Sequence, residues 1–301
     1  IMNFPDSFKN HIMPDQVHIL NVCFMVDKME RTWGGTSANI AFTMKMMGGD
    51  PVIVSSLGKD GNDYLKYLKK FDINTEYIQV DKKQLTASAF ITTDADDNQI
   101  TAFFNGPLDL AGDINVRDID KDIKLALISP THKDVMIKHL KECSELGIEA
   151  VFDPGQQITG FSEIELKKMI DQAHFLVGND YEIKLLEKKT GWSGEDILKH
   201  CEVLITTLGD RGSIITTSEG EKIGVGTCPV KSCDDPTGAG DSYRAGFFVG
   251  YELGMSWKTC AQMGAVAAAY AVEEYGTQVE FTQEEFCDRY EKAFSEKISL
   301  N

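Results

Sequence analysis

Short apolar segments alternate with longer helical patterns through most of this 301-residue chain. The segments with strand composition cover residues 51–55, 125–129, 150–153, 175–178 and 203–207, and helical patterns such as 134–146 and 163–171 lie between them. This alternation predicts an α/β fold with a doubly wound, mainly parallel sheet and helices on both faces. Ligands bind such sheets at the carboxyl ends of the strands. The residues predicted there are Asp153, Asn179, Gly209 and Asp235.

A second pattern predicts a smaller sheet. Residues 18–26, 86–93 and 99–104 alternate in polarity or are rich in β-branched and aromatic residues, and a polar turn at 94–98 separates the last two segments. We therefore expect a small antiparallel sheet. Phe103 and Phe104 would point to opposite faces of its last strand, so one should pack against the core and the other face a ligand.

Composition excludes several classes of function. A hydrophobic content of 42% is enough for a large core, and the net charge of −17 opposes binding to nucleic acid or to an anionic membrane. The longest run of small apolar residues, 261–272, is too short to span a bilayer and predicts a buried helix. Seven cysteines with no Cys-x-x-Cys pair predict reduced thiols and a cytoplasmic protein.

The most informative motif is Asp-Pro-Thr-Gly-Ala-Gly-Asp at 235–241, which runs into an apolar helix. A glycine-rich turn at a helix N-terminus leaves backbone N–H groups free to bind an anion, and the carboxylate of Asp241 would lie beside them. A proton acceptor next to a phosphate cradle indicates phosphoryl transfer to a hydroxyl. The alternative is purely structural, with Asp241 as a helix cap and the glycines as a turn.

Two common nucleotide-binding motifs do not fit this segment. Gly238 and Gly240 match a dinucleotide-binding fingerprint, but Tyr243 occupies the position of its third glycine. The chain also has no Gly-Lys-Ser/Thr at the spacing of a phosphate-binding P-loop.

Residues 235–241 instead resemble the second signature of the ribokinase-like (PfkB) carbohydrate kinases at every fixed position. Four further segments are similar to family motifs and follow in the same order. They are the Gly-Gly-Thr-Ser-Ala-Asn run at 34–39, Phe-Asp-Pro-Gly at 152–155, Asn-Asp-Tyr-Glu at 179–182 and Thr-Thr-Leu-Gly-Asp-Arg-Gly at 206–212. The resemblance covers nearly the whole chain.

For catalysis, the resemblance implies that Asp241 takes the proton of an acceptor hydroxymethyl group as its oxygen attacks the γ-phosphorus of ATP. The N–H groups of Gly238, Ala239 and Gly240 would hold the transferring phosphoryl group. Gly34, Gly35 and Asn39 would meet the hydroxyls of the acceptor. In the family the first strand ends in another acceptor-binding Asp, which the pattern places just upstream of Ile1.

For the nucleotide, the resemblance implies binding by Asn179, Thr207, Gly209, Gly212, Gly238, Gly240 and Gly276, with adenine between the turn at 207–212 and the loop at 273–278. Asn179 and Glu182 would organise Mg²⁺ through water, although Glu182 could instead belong only to the charge pattern of its helix. A monovalent cation such as K⁺ would lie near Asp235. Arg244 would contact either a phosphate or a neighbouring carboxylate.

The family architecture implies a β-sheet lid over the acceptor site. We assign residues 1–33 and 85–107 to this lid, and residues 34–84 and 108–301 to the core. The chain crosses between them more than once, so the lid should not fold independently. Lid closure would exclude water from the reaction, and the lid would also be the contact surface of a homodimer.

The acceptor is the least constrained part of the hypothesis. The run at 92–103 and the opening residues 1–8 look most like bacterial adenosine-kinase-like members, which implies adenosine and a role in purine salvage. Ribokinase or another sugar kinase is the alternative. A nucleotide-binding regulator without turnover and a dehydrogenase are disfavoured by Asp241 and by the absent fingerprint. His139 and Cys143, one helical turn apart, lack further metal ligands, so a solvated helix face is the favoured interpretation there.

Overall fold

The computed structural model describes residues 1–12, 19, 21–96, 98–233 and 235–300. The strands are β1 Met2–Asn3, β2 Lys28–Met29, β3 Ser55–Leu57, β4 Ile78–Val80, β5 Ser88–Thr93, β6 Gln99–Phe104, β7 Leu125–Ile128, β8 Glu149–Phe152, β9 Phe175–Asn179, β10 Val203–Thr207, β11 Ser213–Thr217 and β12 Lys222–Val225. The helices are α1 Thr36–Met46, α2 Asn62–Lys70, α3 Lys133–Leu146, α4 Glu163–Asp171, α5 Asp180–Thr190, α6 Gly194–Ile197, α7 Ala239–Glu252, α8 Trp257–Val272 and α9 Gln283–Phe294.

The main sheet has six strands in the order β12-β11-β10-β9-β8-β7. Strands β7 to β10 run parallel, and β11 and β12 extend the sheet as an antiparallel pair. Side chains alternate between its two faces. Ala150 and Phe152 pack among the buried residues of α3, α4 and α5, whereas Val151 packs among those of α7 and α8. Helices therefore cover both faces, as predicted.

Several helices begin at a capping box, in which the N-cap side chain and the third helical residue bond to each other's backbone N–H groups. The pairs are Ser162 with Glu165, Asn179 with Glu182, Ser193 with Asp196 and Thr282 with Glu285. Helices α3 and α5 end at Gly147 and Gly191, whose left-handed φ of 70° and 68° suits glycine. Local sequence therefore fixes these helix ends.

Helix α7 is held in the centre of the molecule by close packing on α8. A Cβ atom at Gly246 would lie 2.5 Å from the Met263 carbonyl oxygen, and one at Gly264 would lie 2.8 Å from the Tyr243 ring. Glycine at both positions allows the two helices to approach closely. On the same helix, Phe247 and Phe248 are fully buried. The N-terminus of α7 is consequently fixed relative to the sheet.

A second, four-stranded sheet has the order β2-β1-β5-β6, and we call it the small sheet. Strands β5 and β6 pair antiparallel as predicted, but β1 pairs parallel with β5, so the sheet is mixed. All four strands lie in the segments assigned to the lid.

The predicted strand at 18–26 is wrong where it can be checked. His18 and Leu20 lie outside the described residues, Ile19 belongs to a helical turn, and residues 21–26 form no strand. The Phe24 ring instead packs against Phe4 and Phe8, with centroids 4.9 and 4.8 Å apart. The half-buried Phe24 side chain thus packs in an aromatic cluster without strand pairing.

The segment predicted as a strand at 51–55 is shifted. Strand β3 begins at Ser55 and pairs parallel with β4 in a separate two-stranded sheet, while Val52 forms an isolated bridge with Asn74. The predicted buried helix at 261–272 is confirmed as part of α8, in which Ala261 and Val266 are fully buried. Among the described residues, no helix is both long enough and apolar enough to cross a membrane.

Candidate active site

The N-terminus of α7 presents free backbone N–H groups. Gly238 caps the helix with a left-handed φ of 84°, and a Cβ there would lie 2.8 Å from the Thr277 side chain. The N–H groups of Gly238, Gly240 and Asp241 have no acceptor among the described residues, whereas Ala239 donates to the Pro236 carbonyl at 3.3 Å. Such a helix end can bind an anion.

Asp241 lies in the first turn of α7 and is only partly exposed. Asn39 Nδ2 donates to Asp241 Oδ2 at 2.8 Å. Burial raises the pKa of Asp241 to about 6, an effect that the Asn39 hydrogen bond and the charge of Arg244 oppose and the charge of Asp153 increases. A carboxylate with this pKa is ionised at neutral pH and can still accept a proton, as a general base must.

Arg244 makes a buried ion pair behind Asp241. Its Nη2 donates to Asp153 Oδ1 at 2.6 Å, and both side chains are less than a tenth exposed. The alternative of a neighbouring carboxylate is therefore the one observed. A Cβ at Gly240 would lie 2.9 Å from Arg244 Nη1, which places the guanidinium directly beneath the turn that carries the free N–H groups.

A chain of hydrogen bonds reaches Asn39 from the side opposite Asp241. Asn39 Oδ1 accepts from Thr277 Oγ1 at 2.8 Å and from Gln278 Nε2 at 3.1 Å. Gln278 Nε2 also donates to the Tyr64 hydroxyl at 2.5 Å, and Tyr64 donates to the Gly34 carbonyl at 2.7 Å. Sequence reasoning missed Tyr64 and placed Gln278 only in a loop near adenine. No motif could have marked Tyr64, which fits the apolar face of an amphipathic helix.

A cavity of about 2050 Å³ joins the small sheet to this region. Its lining includes the predicted residues Gly34, Gly35, Asn39, Phe103, Phe104, Asp235, Asp241 and Gly276. The structure thus brings the residues predicted for the acceptor together with the predicted base. Asn39 is buried, and Gly35 has a φ of 96° that suits glycine.

The expectation that Phe103 or Phe104 packs against the core is wrong. Phe103 is 58% exposed and Phe104 is 44% exposed. Strand β6 is the last strand of the small sheet, so the two rings have a neighbouring strand on one side only. Both line the cavity.

Among the residues predicted for the nucleotide, Gly276 lines this cavity, whereas Asn179, Thr207, Gly209 and Gly212 lie outside its lining, near the carboxyl ends of β9 and β10. Asn179 and Thr207 end β9 and β10, where they are register partners. Gly209 and Gly212 belong to the following turn, and a Cβ at Gly212 would lie 2.0 Å from the Val225 carbonyl oxygen. An ion pair of 2.7 Å between Arg211 and Asp180 connects this turn to the start of α5.

Asn179 and Glu182 form the capping box of α5. Asn179 Oδ1 accepts from the Glu182 N–H, and Glu182 Oε2 accepts from the Asn179 N–H, both at 2.8 Å. Glu182 Oε2 therefore has a structural role as a helix cap, while Glu182 Oε1 makes no hydrogen bond with the residues that the structure describes. Within the described residues, no three His, Cys, Asp or Glu side chains cluster as a metal site, so phosphate and water oxygens would have to complete a magnesium site here.

Asp235 is buried at the base of the turn that precedes α7. Its Oδ1 accepts from the Thr237 N–H at 3.0 Å, and its Oδ2 is buried without a partner among the residues that the structure describes. A buried, unpaired carboxylate oxygen is costly, and a cation would remove that cost. The donor type therefore fits a hard cation.

The interpretation of His139 and Cys143 as a solvated helix face is wrong. Both side chains are buried, and the His139 ring bonds to the Ile114 carbonyl at 3.0 Å. Burial lowers the pKa of His139 and raises that of Cys143 to about 11. These residues pack in the core.

Comparison with known proteins agrees with this geometry. A family model described as pfkB family carbohydrate kinase matches residues 20–284. The chain is 31% identical over 275 residues to a nucleoside kinase of Methanocaldococcus jannaschii, with 90% of each chain covered.

Solved structures give the same result. The structure of Burkholderia thailandensis nucleoside kinase in complex with inosine matches with a TM-score of 0.91 and 34% identity, covering 98% of this chain and 95% of that one. The structure of the same enzyme in complex with ADP-inosine matches with a TM-score of 0.89 and 36% identity, covering 98% and 93%. The chain therefore belongs to the pfkB family of carbohydrate kinases, has the ribokinase-like fold and is a phosphotransferase that acts on an alcohol group.

Proposed function

We propose that this protein is an ATP-dependent nucleoside kinase that transfers the γ-phosphate to the 5'-hydroxyl of a purine nucleoside, adenosine being the first candidate. The observation that carries this proposal is the position of Asp241. Its carboxylate faces the cavity beside free N–H groups of α7 and has a pKa of about 6. One helix end can thus take a proton and stabilise phosphate charge.

In the proposed reaction the 5'-oxygen attacks the γ-phosphorus, and its proton passes to Asp241. A new oxygen–phosphorus bond forms as the bond from the γ-phosphorus to the bridging oxygen of ADP breaks. The N–H groups of Gly238 and Gly240 stabilise the charge on the transferring group. Ala239 contributes less, because its N–H already donates to Pro236.

Two cations belong to this proposal. Asn179 and Glu182 would hold Mg²⁺ through water, and the ion would supply positive charge that neutralises the phosphates of ATP. A monovalent cation would lie at Asp235, whose buried Oδ2 lacks a partner in the described part of the chain. Gly276, with a φ of 97°, lines the same cavity and shapes the neighbouring loop.

Inosine is a second candidate acceptor, because the similar Burkholderia enzyme was solved in complex with it. Both nucleosides present the same ribose to Gly34, Gly35 and Asn39, and a flat base to Phe103 or Phe104. Ribose or another sugar remains the alternative. The nucleoside is favoured because the exposed phenylalanines of β6 give an apolar surface that a free sugar would not use.

The small sheet is proposed to close over the acceptor and to form a homodimer contact. The strand register places Met29, Phe90 and Phe104 on one face of this sheet, where they are 75%, 57% and 44% exposed. Exposed apolar side chains on one small sheet are a common sign of an interface. Analytical ultracentrifugation of the protein and of a Phe90→Ser variant tests this, because a monomeric parent protein would reject the dimer.

The test of function is a screen of acceptors with ATP and Mg²⁺. Adenosine, inosine, other nucleosides, ribose and fructose are compared by kcat/KM, with phosphorylated product identified by mass. We expect a purine nucleoside to be used best. A higher kcat/KM for a free sugar would replace the nucleoside by that sugar, and no ATP consumption with any acceptor would favour a regulator without turnover.

A further inference from the structure

Three side chains, joined by four hydrogen bonds, connect the Gly34 peptide to the general base. The order is Gly34 carbonyl, Tyr64 hydroxyl, Gln278 amide, Asn39 amide and Asp241 carboxylate, with separations of 2.7, 2.5, 3.1 and 2.8 Å. The side chains come from α2, the loop after α8, and α1. Every step is within hydrogen-bond distance.

The direction of each hydrogen bond follows from the first group. A backbone carbonyl can only accept, so the hydroxyl of Tyr64 must donate to Gly34. The Tyr64 oxygen then accepts, which requires the NH₂ end of Gln278 to face it. That NH₂ group also faces Asn39, so Asn39 turns its oxygen toward Gln278 and its NH₂ group toward Asp241.

We propose that Tyr64 and Gln278 are positioning residues for the general base, which set the orientation of the Asn39 amide so that Asn39 Nδ2 faces the Asp241 carboxylate. Thr277 agrees with the same orientation, because its hydroxyl lies closer to Asn39 Oδ1, at 2.8 Å, than to its other acceptor, the Trp33 carbonyl, at 3.2 Å. The inference rests on the function proposed above and adds a role that no motif in the sequence assigns.

The orientation matters because an amide has two different ends. With its NH₂ toward Asp241, Asn39 stabilises the ionised carboxylate, which is the form that can take a proton. With its oxygen toward Asp241, it would repel the ionised form and stabilise the protonated one. The other charged groups acting on Asp241 are Arg244 on its own helix and Asp153 at the end of β8, and Glu182 acts in turn on Arg244.

The decisive variant is Tyr64→Phe, which removes one hydroxyl and keeps a ring that can stack on Trp33, now 4.8 Å away. Without the hydroxyl, the side-chain amides of Gln278 and Asn39 can flip, which exchanges the positions of the oxygen and the NH₂ group. The acid limb of the pH profile of kcat/KM should then move to higher pH. We expect a loss of about three- to tenfold at pH 5.5 and less than about twofold at pH 8, because one hydrogen bond to a charged group is lost. The KM for ATP should not change.

Tyr67→Phe is the matched control on the same helix. The Tyr67 ring also packs near Trp33, with the ring centroids 5.8 Å apart, but its hydroxyl makes no hydrogen bond with the described residues. Its variant should keep the pH profile of the parent protein. Gln278→Met, which has similar length and no donor, should reproduce the effect of Tyr64→Phe. An equal loss at both pH values would indicate a merely structural role and overturn the proposal.

A second measurement needs no turnover. The pKa of Asp241 in the folded protein is read from the difference in Tm between a protein and its Asp241→Asn derivative as a function of pH. In the Tyr64→Phe background this difference should keep growing to higher pH than in the parent. Identical curves would overturn the positioning role even if the protein proves to be no kinase, and a kinase with an unchanged acid limb would overturn it while leaving the proposed function intact.

Discussion

Asp241 stabilises the folded protein least at neutral pH, at which it would act as the proposed general base. Its pKa is raised from 3.8 to about 6, chiefly by burial. Protonated Asp241 therefore stabilises the fold at low pH, and this contribution is lost as the pH rises from about 4 to about 6. A carboxylate in this position therefore reduces stability at neutral pH, where the proposed base would have to be ionised.

Asp241→Asn should thus have opposite effects on rate and stability. The variant keeps an acceptor for Asn39 Nδ2 but cannot take a proton, so kcat should fall by on the order of a hundredfold or more. The free energy of unfolding should rise by on the order of 2 kcal/mol at pH 8, with little change at pH 4. Kinetics together with thermal melts at both pH values measure this. Near-normal kcat would remove Asp241 from the role of base.

The pH dependence of the unmodified protein follows from the same group. Because the base must be ionised, kcat/KM for the acceptor should fall about tenfold per pH unit below pH 6 and level off above it. Rates in buffers from pH 4.5 to 8.5, each started from protein shown to be folded at that pH, give the midpoint. A midpoint near pH 4 would mean that burial does not govern this carboxyl.

At the scale of elements, the first turn of α7 has little room for a side chain at Gly240. A Cβ at Gly240 would lie 2.9 Å from Arg244 Nη1, and Arg244 is held by Asp153. Gly240→Val should therefore push on this ion pair, obstruct the approach of phosphate and lower kcat about tenfold or more. Gly224→Val is the control, because a Cβ at Gly224 meets nothing within 4 Å. Circular dichroism must show that both variants are folded, and equal kcat values would reject the phosphate cradle.

The start of α5 gives a second test at this scale. Glu182→Gln keeps an acceptor for the Asn179 N–H but removes a negative charge from the proposed magnesium shell. The Mg²⁺ concentration for half-maximal activity should rise more than the KM for the acceptor. Glu285→Gln makes the same change in the capping box of α9 and should leave the Mg²⁺ dependence unchanged. If both variants need the same Mg²⁺ as the parent, Glu182 is only a cap.

Elements whose signal is local were predictable from the sequence. Strand β6 and helix α4 have the predicted bounds, because alternation and a capping box are contained within each segment. The strand predicted at 18–26 failed because its apolar residues could pack in more than one way, and the Phe24 ring packs against Phe4 and Phe8. Periodicity cannot separate an aromatic cluster from a strand.

At the scale of the whole molecule, the residues of the candidate site also fall into two groups, those that a local motif predicts and those that only the fold brings together. Asp241 and the glycines before it could be predicted because the motif is continuous. The hydrogen-bond chain that reaches Asn39 could not be predicted, since Gln278 and Tyr64 are 214 residues apart in the chain and meet only through the fold. The Arg244–Asp153 pair, 91 residues apart, also remained one of two alternatives until the structure brought the charges together.

Acceptor choice is also a question for the whole molecule, because the proposed function requires both the small sheet and the core to contact the acceptor. If the acceptor is a nucleoside, Phe103 or Phe104 should cover its base, and losing such a ring costs roughly 1–3 kcal/mol in comparable stacking contacts. The Phe→Ala change at the ring that faces the base should weaken nucleoside use about tenfold or more and leave any use of free ribose nearly unchanged.

Asn39→Ala separates recognition of the base from recognition of the sugar. Asn39 is proposed to bind the ribose, which both acceptors contain, and it also acts on Asp241, on which both reactions depend. The variant should impair both acceptors alike. Steady-state kcat/KM for adenosine, inosine and ribose with the three variants forms the comparison. If neither phenylalanine variant distinguishes nucleoside from sugar, the rings do not stack on the base, and their exposure would then be explained by the contact between two copies of the small sheet.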